Sequence, residues 1–307
     1  MIYTLTLNPS IDYVINLDEV NLGELNRIQA DHFFTGGKGI NVSRVLKNLG
    51  HDNTALGFMG GFTGGFVEEE LAKEDIQTDF TAIQAYTRIN IKVKATEETE
   101  LNGQGPIIDE AAAEKLLENI ATVQPGDMVI ISGSKPRNLP DDYYQQIIET
   151  IKTAGAEFVI DTTGKSLEAA LASNPFLAKP NDVELAELFN VSLETEADYL
   201  KYGQKLVEAG ARFAIVSLGS KGALLFSEEG VFRGNSPKGT VKNTVGAGDS
   251  MIAGFVGTFL ETKDLLKAFK VGLASGSATA FTEDLATKEE IDALLPQIQI
   301  EKIGEDE

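Results

Sequence analysis

Five short runs constrain the fold of this chain most: "IYTLTL" (2–7), "TALGFM" (54–59), "MVIISG" (128–133), "EFVID" (157–161) and "FAIVSL" (213–218). Most are apolar without interruption, as strands covered on both faces must be; a half-exposed strand would alternate with polar residues. Between them lie stretches of helical period. In 39–49, Ile40, Val42, Val45, Leu46 and Leu49 leave Ser43, Arg44, Lys47 and Asn48 on the other side. The stretches 109–123 and 140–155 begin with acids, where the helix dipole favours negative charge. This alternation predicts an α/β fold, a doubly wound, mainly parallel sheet flanked by helices with right-handed crossovers.

Two segments, 12–34 and 86–104, lack helical period. In the second, Ile89, Ile91 and Val93 alternate with Asn90, Lys92 and Lys94, the period of a half-exposed antiparallel strand. Both leave the core after a strand and return before a helix. They are expected to form one small β-sheet on the edge of the core, a lid or a dimer surface, within a single domain spanning 1–307. Only the tail "EKIGEDE" reads as frayed.

The formal net charge of -21 argues against nucleic acid and against an anionic membrane surface, since both draw affinity from clustered Lys and Arg. Cysteine is absent and the only histidines are His32 and His51, which excludes disulfides, thiolate zinc, a catalytic Cys and a histidine-rich metal site. The start lacks a basic n-region, and no stretch approaches about 18 uninterrupted apolar residues. A soluble cytoplasmic protein is the expectation.

The glycine-rich stretches fail two common phosphate-loop patterns. "GGFTGG" (60–65) has the Walker glycine spacing but Phe66 where Lys is required, and in "GGKGIN" (36–41) Gly39 follows the Lys. The first strand runs into "NPSID" rather than a dinucleotide fingerprint, which disfavours an oxidoreductase. "NTVGAGDS" (243–250) instead precedes an apolar, small-residue helix, so Gly246, Ala247, Gly248 and Asp249 would form its first turn. Free amides there can hold an anion or a transferring phosphoryl group, and a carboxylate beside them can act as general base. The same Asp249 could equally be a favourable first-turn acid.

"TGGKGIN" offers a second amide cluster at the start of the 39–49 helix, with Gly37, the cation Lys38, and Asn41 one turn in. Asp12 falls just past the first strand's C-terminal end, where open α/β sheets bind ligands; a turn aspartate is the plain alternative. Arg88 sits on the lid-like strand, and Ser132 closes another strand at the same sheet edge. Asn181 and Glu184 share one face of a helix start, either as a capping box or as a polar edge near Mg²⁺ and its waters. Gly219 and Gly222 mark a tight turn between two strands, which could pass under a nucleotide or be only a hairpin.

Taken in order, "TLNPSID", "GGKGIN", "TRINIK", "SGS", "KPN", "VSLGSKGA" and "VGAGDS" resemble the PfkB family of carbohydrate kinases, with the ribokinase-like fold, over essentially the whole chain. The resemblance implies ATP-dependent phosphorylation of a sugar phosphate. It makes Asp249 the base and the amides of Gly246, Ala247 and Gly248 the anion hole. It puts Asp12, Gly37, Lys38, Asn41, Arg88 and Ser132 on the sugar phosphate. Asn181, Ser217, Gly219, Gly222 and Thr244 fall on the ATP side, with Glu184 linked to Mg²⁺. The two β-rich excursions match the family's lid, often also a homodimer interface, from which Arg27 would reach a substrate phosphate, in the neighbouring subunit.

The motif order looks like the phosphofructokinase and tagatose-6-phosphate kinase branch. Within it, "TRINIK" with Lys92 and "GGKGIN" point to fructose 1-phosphate as acceptor and fructose 1,6-bisphosphate as product, with tagatose 6-phosphate or fructose 6-phosphate as alternatives. One departure stands out: relatives read "SGSLP" followed by glycine, whereas this chain reads "SGSKPRN", with an extra cation at Lys135 and Asn138 nearby. A non-catalytic sugar-phosphate sensor would have lost the base, yet Asp249 is present.

Overall fold

Alternate residues of the central strands enter opposite cores, which explains why those strands are apolar throughout. In the computed structural model, which describes residues 1–303, Val129 and Ile131 pack on one face of the main sheet while Met128 and Ile130 pack on the other. Phe158 and Ile160 against Val159, and Ala214 and Val216 against Phe213 and Ile215, repeat the division.

In chain order the strands are β1 (Ile2–Thr6), β2 (Ser10–Asn16), β3 (Ala30–Gly36), β4 (Asn53–Gly60), β5 (Gln77–Ile83), β6 (Arg88–Lys94), β7 (Thr99–Asn102), β8 (Met128–Ser132), β9 (Glu157–Asp161), β10 (Leu177–Ala178), β11 (Phe213–Ser217), β12 (Ala223–Ser227), β13 (Gly230–Gly234) and β14 (Ile300–Ile303). The helices are α1 (Lys38–Asn48), α2 (Gly61–Lys73), α3 (Glu110–Ile120), α4 (Tyr143–Thr153), α5 (Gly164–Leu171), α6 (Asp182–Phe189), α7 (Glu196–Glu208), α8 (Ala247–Thr262), α9 (Leu265–Phe281) and α10 (Lys288–Leu294). The main sheet has the order β14-β13-β12-β11-β10-β9-β8-β1-β4-β5. It is parallel from β11 to β5, with an antiparallel edge of β12, β13 and β14. The strand order reverses at β1, between β4 and β8, and that switch point locates the ligand crevice of an open α/β sheet.

Helix α8 is apolar all round because it lies between the sheet and α9, and its small residues permit the close crossing. A Cβ on Gly254 would overlap Ser275 Oγ of α9. The second sheet, ordered β3-β2-β6-β7, is separate and rests on a third small core that includes Ile11, Ile40, Met59 and Val67.

Three expectations need correction. Residues 301–303, read as frayed, are part of β14 and pair with β13; 304–307 lie outside the described residues. Asp12 is not in a turn but inside β2. Strand β6 is antiparallel only to β7 and runs parallel to β2. Its polar side is turned inward near Arg88: Asn90 is buried while Ile89 is 39% exposed, because that side faces the cleft rather than water.

Candidate active site

The C-terminal ends of β1, β8, β9 and β10 converge beside the switch point, and the small sheet stands over them. The cleft they enclose has a volume of about 910 Å³. A second cavity of about 450 Å³ opens between the small sheet and the 242–245 and 283–285 segments, sharing Asp12, Asn41, Lys92 and Val245 with the first.

Two helices begin in the cleft on glycines in the left-handed region. Gly37 caps α1 at φ 120, and a Cβ there would stand 2.7 Å from Thr6 Cγ2. Gly246 caps α8 at φ 80, where only glycine is unstrained. Among the described residues, the amides of Gly246, Gly248 and Asp249 meet no protein acceptor, whereas Ala247 N–H donates to Thr244 O at 3.3 Å. The turn therefore presents free donors with the positive end of the α8 dipole behind them.

Asp249 is the third residue of α8 and is 4% exposed. Asn41 Nδ2 donates to its Oδ2 at 2.8 Å, joining the two glycine-started helices. Burial, then the charge of Asp161, pushes the Asp249 carboxyl up to about 6, against the pull of Asn41, Lys38 and Lys179. Such a group is ionised at neutral pH yet more basic than an ordinary carboxylate, as a general base requires.

Asp161 ends β9 at 2% exposure and holds two cations of the cleft. Lys38 Nζ lies 3.1 Å from its Oδ2, and the buried Lys179 Nζ lies 3.6 Å from its Oδ1. Burial opposes the Asp161 charge, but Lys179 and Lys38 outweigh it and hold the carboxyl below its usual range. Burial likewise works against Lys38, and Asp161, Asp249 and Glu184 together keep its ammonium above the usual range. A Cβ on Gly248 would reach within 3.0 Å of Lys179 Nζ, so this cation stands directly beneath the α8 turn.

On the other wall, Asp12 Oδ1 accepts from Ser10 Oγ (2.8 Å) and Asn90 Nδ2 (2.9 Å), while Lys92 Nζ pairs with Oδ2 at 3.2 Å. A Cβ on Gly36 would overlap both Asp12 and Ser10, which explains the tandem glycine. Arg88 donates to two carbonyls, Asn8 O (3.2 Å) and Gly103 O (2.9 Å). Three buried polar atoms of the cleft, Thr6 Oγ1, Asn8 Oδ1 and Ser132 Oγ, have no partner among the described residues, as polar atoms awaiting a ligand do.

At the far end, Asn181 and Glu184 form the expected capping box: Asn181 Oδ1 accepts from Glu184 N (2.8 Å), and Glu184 Oε2 from Asn181 N (2.9 Å). Both also line the cleft with Ser217 and Thr244, and Ser217 bridges to Asn181 as a parallel neighbour. Most sequence-predicted residues thus meet in one cleft: Asp12, Gly37, Lys38, Asn41, Arg88, Ser132, Asn181, Glu184, Ser217, Thr244, Gly246, Gly248 and Asp249. Gly219 and Gly222 lie in the turn after β11, outside its walls. Gly222 is glycine because a Cβ would overlap Gly234 O. Arg27 is exposed on the loop between β2 and β3 and lines neither cavity. Sequence reasoning missed Asp161, Lys179 and Asn90. Asp161 closes a run read as a strand, and an acid at a strand's C-terminal end was a usable signal.

The profile of the pfkB family carbohydrate kinases matches residues 5–292. The chain is similar to a 1-phosphofructokinase of Bacillus subtilis, 45% identical over 303 residues that cover 99% of this chain and 100% of that one. A D-tagatose-1-phosphate kinase of Bacillus licheniformis is 38% identical over 301 residues, covering 98% and 99%. Among solved structures, phosphofructokinase-2 from Escherichia coli in complex with fructose-6-phosphate superposes with a TM-score of 0.91 at 31% identity, covering 96% of this chain and 98% of that one.

Proposed function

The chain belongs to the pfkB family of carbohydrate kinases, with ATP as co-substrate, and we propose from that premise that its acceptor is a ketohexose phosphate, foremost fructose 1-phosphate, giving fructose 1,6-bisphosphate. The observation that carries this reading is Asp249: a buried carboxylate, raised in pKa, set one residue from amides that have no acceptor.

Asp249 takes the proton of the acceptor hydroxyl as that oxygen bonds to the γ-phosphorus. The bond to the β–γ bridging oxygen breaks, and ADP leaves with the electron pair. Charge on the γ-phosphoryl oxygens falls on the amides of the Gly246, Ala247 and Gly248 turn, with Gly246 and Gly248 the freer donors. Lys38 and Lys179 flank it, held by Asp161. Asp12, Gly37, Asn41, Arg88 and Ser132 bind the sugar phosphate. Asn181, Ser217, Thr244 and the Gly219–Gly222 turn take the nucleotide.

Glu184 suits Mg²⁺ carried by the nucleotide phosphates, because that ion keeps its waters and needs only one or two carboxylates. Its Oε1 has no partner among the described residues, where no cluster of three or more His, Asp or Glu could form a metal cage. Bound Mg²⁺ supplies neutralisation of the β- and γ-phosphate charge.

The whole chain acts as one kinase domain, with the small sheet as its lid. The outer surface of that sheet and its loop exposes Leu22 (92%), Leu25 (79%), Phe33 (53%) and Leu101 (57%), which supports a homodimer through the lid. Arg27, on the same loop, would then serve the neighbouring cleft. The described helices include none long and apolar enough to cross a membrane, in keeping with a cytoplasmic enzyme. D-Tagatose 1-phosphate is the second acceptor reading, favoured by the Bacillus licheniformis relative. An ADP-release assay over fructose 1-phosphate, fructose 6-phosphate, the two tagatose phosphates and free fructose decides among them. Turnover confined to the free sugar, or none at all, would refute the proposal.

A further inference from the structure

Five cations line the cleft, and they are not equivalent. Lys38 and Lys179 share the single carboxylate of Asp161, and Lys92 pairs with Asp12, so each of these three cations has a carboxylate partner inside the site. Arg88 makes no ion pair among the described residues; its guanidinium is fixed by carbonyls alone. Lys135, half-buried in the loop after β8, is fixed in the same way: its Nζ donates to Leu139 O at 2.9 Å. Its one carboxylate neighbour, Asp141, is 3.6 Å away and fully exposed, where pairing contributes little. Carbonyls orient these two cations without cancelling them; the Asp12 carboxylate, already paired with Lys92, acts on Arg88 only from beyond ion-pair distance. Glu100 also lines the cleft, but it is exposed and held by Asn102 Nδ2 at 3.2 Å.

One stretch of chain, 103–108, touches both Arg88 and the loop that carries Lys135. Residue 103 supplies the acceptor for Arg88, and Ile108, five residues on, is clasped by Asn138 through both its N–H (3.1 Å) and its carbonyl (2.5 Å). The residues that set this loop apart, Lys135 and Asn138, thus have complementary uses, one as the charge and one as the staple that places it. Neither cation pairs with Asp249 or Asp161: Arg88 begins β6 of the small sheet, and Lys135 stands on the loop after β8.

We propose that Lys135 and Arg88 form the anchor for the phosphate that the acceptor already carries, making Lys135 a residue that selects phosphorylated over free ketohexoses. The inference rests on the ketohexose-phosphate reading above. Here a dianionic ester meets two cations that no buried carboxylate pairs, while another hydroxyl of the sugar reaches Asp249.

Lys135→Gln keeps a donor for Leu139 O and removes the charge. The expected result is a rise of about 10- to 100-fold in KM for the sugar phosphate, the range for losing a charged hydrogen bond. KM for ATP should stay within about twofold, and Lys135→Arg should recover most of the loss. Asp141→Ala, at an exposed position safe for folding, should lower that KM by about two- to fivefold by freeing the lysine. An unchanged KM in Lys135→Gln, or an equal loss in kcat and in KM for ATP that Arg does not rescue, would overturn the assignment. So would an unchanged or raised KM in Asp141→Ala. Wild-type protein inactive on every ketohexose phosphate would instead sink the kinase reading itself.

Discussion

Replacing Asp249 with Asn should abolish turnover and make the protein more stable. The carboxyl titrates near 6 in the fold against a reference of 3.8, so the folded state binds its proton more tightly than the unfolded chain does. Stability therefore falls as pH rises from about 4 to about 6, and the full cost persists above that window. Raising a carboxyl from its ordinary value to about 6 costs its ionised form about 3 kcal/mol. Asn mimics the protonated acid, keeps the contact with Asn41, and removes the cost. Urea unfolding should show Asp249→Asn more stable by about 3 kcal/mol at pH 8, shrinking by roughly half at pH 5. A variant no more stable than wild type at pH 8, or a difference independent of pH, would refute the claim that burial and Asp161 strain this carboxylate. The prediction also separates function from architecture, because a residue kept for folding would not destabilise the fold that holds it.

The acid limb of kcat/KM should have its midpoint near pH 6, and Asn41→Leu should move it up by about one unit, since a hydrogen bond to a charged acceptor contributes at least about 1.5 kcal/mol. A limb that stays in place would remove Asn41 from the tuning of Asp249. Asp161→Asn leaves Lys179 buried and unpaired, so thermal and urea unfolding should register a loss of about 3–5 kcal/mol. Adding Lys179→Met should restore most of that stability without restoring turnover, and a single variant costing under about 1 kcal/mol would contradict the buried-pair argument. Leu22→Glu with Leu25→Glu should convert the proposed homodimer to monomer in sedimentation velocity; wild type that sediments as a monomer, or a variant dimer left unaltered, would refute an interface on the small sheet.

The parts of the site legible in the sequence were those written in consecutive residues. "GGKGIN" and "VGAGDS" each encode a glycine cap and the helix start behind it, and both are found where they were expected, at α1 and α8. The Asp161–Lys38–Lys179 cluster was not legible, because its members lie at the ends of three different segments and only the strand order brings them within an ion pair. The alternation of β6 was visible, but not which side faced inward. Periodicity alone cannot distinguish a polar face turned to water from one turned to a ligand cleft. Lys135 was noticed as an extra cation, but its lack of a buried counter-ion is a property of the folded loop.

Every partner of the Asp12 side chain, Ser10, Asn90 and Lys92, sits on the same small sheet as Asp12 itself. Asp249 is tied instead to Asn41 of α1, and its helix is walled in by the main sheet and α9. The two carboxylates thus belong to different layers of the molecule, and nothing in their own bonding joins the layers. In the binding mode proposed above, a sugar gripped by both would be the cross-link, so that the acceptor would latch the cleft as well as react in it. Small-angle scattering should accordingly show contraction with the sugar phosphate and none with ATP alone.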